Sequence, residues 1–114
     1  MKIIKNNIIP FKGFVAITLW PFIFVRKEYN DLFLPQVLNH ENIHGEQQKE
    51  LFLALFYVWY GIEYIIRLLQ YKNAKTAYKN ISFEREAYSN QNNVAYLDER
   101  KPYAFLKYIN SNIN

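Results

Sequence analysis

The stretch LNHENIHGEQQ, residues Leu38 to Gln48, carries two histidines four positions apart. On an α-helix such residues lie one turn apart on the same face, so His40 and His44 can bind one metal ion together. Neutral imidazole is a common ligand of tetrahedral zinc. Glu41 follows His40 directly, and its carboxylate can act as a general base on a water molecule whose pKa the metal lowers. The stretch therefore predicts a helix that carries a zinc site.

The rest of the chain restricts the choice of a third ligand. There is no cysteine and no further histidine, which leaves carboxylates. Glu84 and Glu86, in the segment ISFEREAY, lie on a separate predicted helix that must fold back against the first. A solvated charged face around Arg85 is the alternative for this segment. Glu46 is another candidate for the third ligand, but its position two residues past His44 turns it away from the helix face that carries both imidazoles.

HENIH followed by Glu84–Ala87 resembles the gluzincin metallopeptidases, in which a Glu from a second helix completes His-Glu-x-x-His. The Glu-x-x-Ala form is similar to that of the CAAX-prenyl-protease-like and the ImmA/IrrE-type peptidases. This resemblance implies that Glu84 is the third zinc ligand, in a minimal zincin-like domain that hydrolyses a peptide or protein substrate. Those families usually place Asp or Asn after the Ala, where this chain has Tyr88, so Glu86 stays an alternative ligand.

Groups that support the zinc site are predicted as well. A peptidase needs a donor for the oxyanion, and a tyrosine hydroxyl is available in the absence of a third histidine. Tyr88, one turn beyond the predicted third ligand, is the candidate. Gln47 and Gln48 lie three and four residues past His44, either as partners of the site or as ordinary surface residues. A strand within residues 14–25 either pairs with an extended substrate or covers the core.

The segment Gly13 to Val25, GFVAITLWPFIFV, predicts β-structure because it is rich in β-branched and aromatic residues. We expect two short strands broken near Trp20-Pro21. A length of 114 residues allows one core, so residues 1–114 are predicted to form a single domain. The expected fold is α+β, with a short N-terminal β-hairpin or edge strands followed by three to four helices.

The helices are predicted from periodicity and from proline and capping residues. A turn is expected over residues 29–31, after which Pro35 opens a helix that runs through Leu55 and on to Tyr71, with a bend near Gly61. The polar segment 71–79 is a connection or a short helix. Asn80 or Ser82 is predicted to cap the helix that carries Glu84. A loop around residues 90–93 and a final helix from residue 102 complete the chain.

The segment Leu51 to Leu69, LFLALFYVWYGIEYIIRLL, approaches the length of a transmembrane helix. It contains Glu63 and Arg67, which can pair four residues apart on one helix face. We expect this helix to be buried in the core or in a homodimer interface, with contact to a membrane surface as the alternative. Gly13 to Val25 lacks a cleavage site and is too short to span a bilayer, so a cytoplasmic protein is expected, membrane-associated in the alternative case.

Charge and composition exclude several classes of function. The net charge of +4 comes from scattered lysines and arginines, without a dense basic run, so no nucleic-acid partner is expected. The lack of cysteine excludes disulfides and iron–sulfur clusters. The expected function is a zinc-dependent metallopeptidase with Glu41 as general base. The alternative is a non-catalytic zinc-binding regulatory protein, in one version peripheral to a membrane.

Overall fold

The computed structural model describes residues 1–29 and 34–110, and these form an α+β fold in which a small sheet precedes the helices. The strands are β1 (Lys2–Asn6), β2 (Ala16–Leu19) and β3 (Phe22–Arg26). Their order is β1-β3-β2, with β2 and β3 antiparallel and β1 parallel to β3. The predicted pair of strands around Trp20-Pro21 is confirmed, and β2 forms one edge of the sheet.

The helices begin after the sheet, and their bounds are as follows: α1 (Leu34–Glu50), α2 (Ala54–Tyr71), α3 (Ala74–Lys79), α4 (Ser82–Asn90), α5 (Tyr96–Glu99) and a C-terminal 3-10 helix (Ala104–Tyr108). Five α-helices in the described residues exceed the expected three to four, because the first long helix is divided and a short α5 is added. Most of the turn predicted at residues 29–31 lies outside the described residues.

The prediction of one long helix that bends near Gly61 is wrong. The chain breaks at residues 51–53, where α1 and α2 meet at an angle of 112°. Phe52 and Leu53 adopt left-handed φ angles of 54° and 59°, which cost about 1–2 kcal/mol each for non-glycine residues. Packing offsets this cost, because the break turns Phe56 into the core, where its ring lies 4.5 Å from that of Phe83.

The start of α4 also differs from its predicted capping. Ile81 stands at the N-cap position, and no side chain of the local sequence caps the helix. Instead the buried carboxylate of Glu63 on α2 accepts hydrogen bonds from the backbone N–H of Ser82 and from its hydroxyl, the latter at 2.7 Å. The predicted pairing of Glu63 with Arg67 is confirmed at 3.6 Å. An acidic group at a helix N-terminus is favourable, so α2 supplies the cap that α4 lacks.

Two buried clusters hold the helices together. The larger cluster consists of Leu51, Phe56, Ile81, Phe83 and Phe105. The smaller one contains Ile43 of α1, Ala87 of α4 and Tyr96 of α5. Because Ile43 and Ala87 are fully buried against each other's helices, α1 and α4 are fixed side by side. This packing brings the HENIH segment next to the FEREA segment.

Within residues 1–29 and 34–110, no single helix is long and apolar enough to cross a membrane. Pro35–Glu50 and α2 together have the length and apolar composition of a membrane-spanning helix, but the two are bent by 112° where they meet.

Candidate metal centre

The two histidines of HENIH face the same point from neighbouring turns of α1. The Nε2 atoms of His40 and His44 lie 3.1 Å apart, and both side chains are buried. α1 packs on β2 on one side and on α4 on the other, so the imidazoles project into the space between these elements. The helical spacing predicted from the sequence is therefore realised as a shared donor site.

Glu84 of α4 completes the group. Its Oε1 atom lies 3.2 Å from Nε2 of His40 and 3.1 Å from Nε2 of His44, and the carboxylate is buried. Three donor atoms from two helices thus converge, and this group could hold a metal ion. The carboxylate required by the absence of other histidines and cysteines is the one on the second helix, as predicted.

The separations between the three donor atoms match tetrahedral coordination. Zinc–nitrogen and zinc–oxygen bonds of about 2.0–2.1 Å place tetrahedral ligands about 3.3 Å apart. The observed separations are 3.1, 3.1 and 3.2 Å. Three such donors would hold a metal ion and leave room for water or substrate beside it, as in catalytic zinc sites.

The other ring nitrogen of each histidine lies within hydrogen-bond distance of a glutamine side chain. Nδ1 of His44 lies 2.8 Å from Oε1 of Gln47, and Nδ1 of His40 lies 2.7 Å from Oε1 of Gln91. The amide of Gln47 is oriented by its own donor, which contacts the carbonyl oxygen of Phe83 and Oε1 of Glu86. With the Nδ1 proton held by an amide oxygen, Nε2 would present its lone pair to a bound metal in place of the hydrogen bond to Glu84.

Burial and charge act against each other at the ligands. Burial lowers the pKa of His44, but the carboxylate of Glu84 more than offsets this and raises that pKa to about 9. Burial tends to raise the pKa of Glu84, yet the charge of His44 and the hydrogen bonds from both imidazoles hold it well below its usual range. A proton therefore compensates the carboxylate in the metal-free protein, and a metal cation can replace it.

Tyr60 of α2 holds the second oxygen of the ligand carboxylate. Its hydroxyl donates to Oε2 of Glu84 at 2.8 Å. Burial and the adjacent carboxylate raise the pKa of Tyr60 above its usual range, so the hydroxyl stays a donor. Nothing in the sequence distinguished Tyr60 from the other aromatic residues of its apolar segment, and its role was not predicted.

Glu41 lies on the cavity side of the three ligands. The single hydroxyl proton of Thr18 on β2 is shared between Oε1 of Glu41 at 2.7 Å and the backbone carbonyl oxygen of the same residue at 2.8 Å, and Glu41 lines the same cavity as His44 and Glu84. This contact holds one carboxylate oxygen, and no described residue bonds to the other. Glu41 lies beside the group of three donors and is not a member of it, and its role as general base stays a prediction.

Tyr88 packs against the site through its ring. The ring centroid lies 4.5 Å from that of His40, and the hydroxyl lies 3.4 Å from the hydroxyl of Tyr78 on α3. Tyr78 lines the cavity together with Glu41 and Glu84. Tyr88 thus supports one ligand ring, while Tyr78 and Tyr60 bring hydroxyl groups to the cavity; the role of Tyr88 at the oxyanion stays a prediction.

Glu86 has a separate role. Its carboxylate accepts hydrogen bonds from Arg100, from the hydroxyl of Tyr96 at 2.6 Å, and from Gln47. Arg100 also pairs with Glu50 at 2.7 Å. Glu86 therefore anchors the amide that orients His44, and it does not belong to the group of three donors.

The two glutamines after the motif are not surface residues. Gln47 is 0% exposed and contacts His44, as described above. Gln48 is 2% exposed, accepts from the backbone N–H of Trp20, and donates to the carbonyl oxygen of Thr18. Gln47 thus contacts His44 of the candidate centre, whereas Gln48 attaches α1 to the sheet. The competing carboxylate Glu46 points to solvent and pairs with Lys49, as its position predicted.

No family model, no curated protein and no solved structure matches this chain. The resemblance to the gluzincins consequently rests on HENIH and on the Glu84–Ala87 segment.

Proposed function

We propose that the protein is a zinc-dependent metallopeptidase of the gluzincin type. The observation that carries this proposal is the convergence of two imidazole Nε2 atoms and one carboxylate oxygen within 3.2 Å of one another, with Glu41 beside them. Zinc bound by these donors would act as a Lewis acid and lower the pKa of water at the open position. Mixed nitrogen and oxygen ligands with one vacant corner favour zinc in this role.

Glu41 is assigned the proton transfers. Its free carboxylate oxygen removes the proton from the attacking water and later delivers it to the leaving amine. Thr18, which holds the other oxygen at 2.7 Å, keeps the carboxylate turned toward the cavity. Thr18 is thereby a positioning residue for Glu41.

The tyrosine hydroxyls are assigned to the carbonyl oxygen of the substrate. Tyr60 is bonded to Glu84, whereas Tyr78 lines the cavity and contacts the hydroxyl of Tyr88. Burial raises the pKa of Tyr78 above its usual range, so it remains a hydrogen-bond donor where negative charge develops. Tyr88 is the other candidate donor for the oxyanion.

The experiment that tests this function replaces Glu41 by glutamine, which keeps the size of the side chain and removes its basicity. We expect stoichiometric zinc to be retained and hydrolysis of a broad peptide library to fall by about 10²–10⁴-fold. Glu46→Gln, on the exposed face of the same helix, is the matched control and should leave hydrolysis unchanged. Equal hydrolysis by Glu41→Gln and the unaltered protein, or none by either, would contradict the peptidase proposal.

A second candidate is a zinc-binding regulatory protein that associates with a membrane surface. The observation that favours it is the exposed apolar face of α2, which consists of Leu55, Val58, Ile62, Ile65, Ile66 and Leu69. Such a face suits the boundary of a bilayer or a second copy of the chain. Co-sedimentation with anionic vesicles tests the membrane, and sedimentation equilibrium tests the homodimer; protein that stays in the supernatant as a monomer would reject both.

A further inference from the structure

We infer that the cavity next to Glu41 and Glu84 is a specificity pocket for one large apolar side chain of an extended peptide. This inference rests on the proposed peptidase function and names the class of substrate. The cavity has a volume of about 310 Å³ and shares its walls with Glu41, His44 and Glu84. A bound side chain would therefore lie directly beside the reacting groups.

The walls of the cavity are mainly apolar. They include Ala16, Ile17 and Leu19 of β2 and Phe56, Tyr57 and Tyr60 of α2. Glu41, His44 and Glu84 also belong to the lining, and no lysine or arginine lines the cavity among the described residues. An acidic side chain would find no basic side chain of the protein there and would lie near the carboxylate of Glu41, which is costly, whereas an apolar side chain gains from leaving water.

The size of the cavity restricts what it can hold. A volume near 300 Å³ is the lower limit of ordinary ligand pockets, so it fits one or two side chains rather than a folded element. Phe14 and Tyr78, whose rings are in edge-to-face contact with centroids 6.1 Å apart, both line the cavity. The exposed ring of Phe11 forms part of the rim. An aromatic or branched aliphatic side chain fills such a space.

The sheet provides the means to present that side chain. β2 is an edge strand, and all four of its residues line the cavity. Gln48 occupies the Thr18 carbonyl oxygen and the Trp20 N–H on the outer edge of β2, so an extended peptide can pair with that edge only near Ala16, through backbone hydrogen bonds as in other cases of strand addition. Successive side chains of the added strand then point to opposite faces, so that one of them enters the cavity.

Ala16 is the smallest residue in the lining and controls the space that remains. It is paired with Val25 in the hairpin, so a larger side chain at this position can be accommodated by the strand but occupies the cavity. Ala16→Leu should therefore exclude a phenylalanine side chain while it still admits alanine. Ala74→Leu adds the same atoms at an exposed position on α3 and is the matched control.

Binding is measured separately from cleavage by use of the Glu41→Gln protein. Fluorescein-labelled peptides Gly-Gly-X-Gly-Gly, with X as Phe, Leu, Ala or Asp, are titrated by fluorescence anisotropy. We expect the Phe and Leu peptides to bind at least about tenfold more tightly than the Asp peptide, the usual effect of a complementary apolar pocket. Ala16→Leu should lower the affinity for the Phe peptide by about tenfold or more and leave the affinity for the Ala peptide unchanged. Ala74→Leu should change neither affinity.

The inferred specificity pocket would be rejected by any of three results: equal affinity for all four peptides, no binding of any peptide, or an equal loss of affinity for every peptide in Ala16→Leu. Phe11→Ala, at a side chain that is 84% exposed, tests the same pocket without risk to folding and should reduce the preference for Phe severalfold. Cleavage by the unaltered protein decides the proposed function independently. A preference in binding without cleavage would reject the peptidase alone, and cleavage without that preference would reject the pocket alone.

Discussion

Replacement of Gln47 by leucine should weaken zinc binding without removing any ligand. Gln47 accepts the Nδ1 proton of His44 at 2.8 Å, and it is itself held by Phe83 and Glu86. Leucine has a similar volume but no acceptor, so His44 loses the bond that fixes its tautomer and ring orientation. Loss of such a partner typically lowers metal affinity by about 10- to 100-fold.

The structure also predicts a cost to stability. The leucine variant leaves the carbonyl oxygen of Phe83 and one oxygen of Glu86 without the donor they now have, at a fully buried position. Each unsatisfied buried polar group costs about 1–3 kcal/mol. We therefore expect the free energy of unfolding of the metal-free protein to fall by about 2 kcal/mol or more.

Gln48 provides a matched control one residue away. It is equally buried, and its amide bonds to Trp20 and Thr18 rather than to a ligand. Gln48→Leu should lower the free energy of unfolding by a similar amount and leave the zinc Kd unchanged. The assay is competition with a chelator for the Kd, together with urea unfolding of each metal-free variant. An equal loss of zinc affinity in the two variants, or none in Gln47→Leu, would refute the reasoning.

Two further predictions concern stability. Glu63→Gln removes the charge that caps α4 at Ser82 and pairs with Arg67, and should lower the free energy of unfolding by about 1.5–3 kcal/mol in urea titrations. An unchanged unfolding midpoint would show that α4 needs no cap from α2. In the metal-free protein, Glu84 raises the pKa of His44 from 6.5 to about 9. Protonated His44 therefore stabilises the folded state; this contribution is complete below pH 6.5 and is lost as the pH rises through about 9. Thermal unfolding in the presence of EDTA should accordingly show a Tm that falls over this interval, and a flat profile would contradict the pairing.

The three residues of the candidate metal centre were predictable because they lie in two short segments with recognisable spacing. His40 and His44 are the only histidines, and their spacing places them on one helix face. The choice between Glu84 and Glu86 required the register of α4 against α1. In the structure Ile43 and Ala87 set this register, and they turn Glu84 toward the histidines and Glu86 toward Arg100.

The break between α1 and α2 was not predictable from local preferences. The residues at the break, Phe52 and Leu53, ordinarily disfavour left-handed φ angles, whereas Gly61 lies inside α2 with open space around it. Tertiary packing of Phe56 on Phe83 determines where the chain turns. The bend predicted at Gly61 from the presence of glycine was therefore placed in the wrong part of the chain.

The groups around the ligands depend on contacts between distant segments. Tyr60 reaches Glu84 only because α2 folds back over α4, and Gln91 reaches His40 from the loop after α4. Each of these residues has an ordinary structural role in its own segment. The sequence correctly predicted a strand in this region. The contact between Thr18 and Glu41 could not be predicted, because it depends on the packing of β2 on α1.

Metal content of the purified protein tests the central claim most directly. Protein prepared without any chelator should contain one zinc per chain by mass spectrometry, and Glu84→Ala should contain almost none because one of three ligands is removed. Glu46→Ala, on the solvent face of α1, should retain one zinc per chain. Absence of zinc from the unaltered protein, or full zinc content in Glu84→Ala, would contradict a metal centre formed by His40, His44 and Glu84.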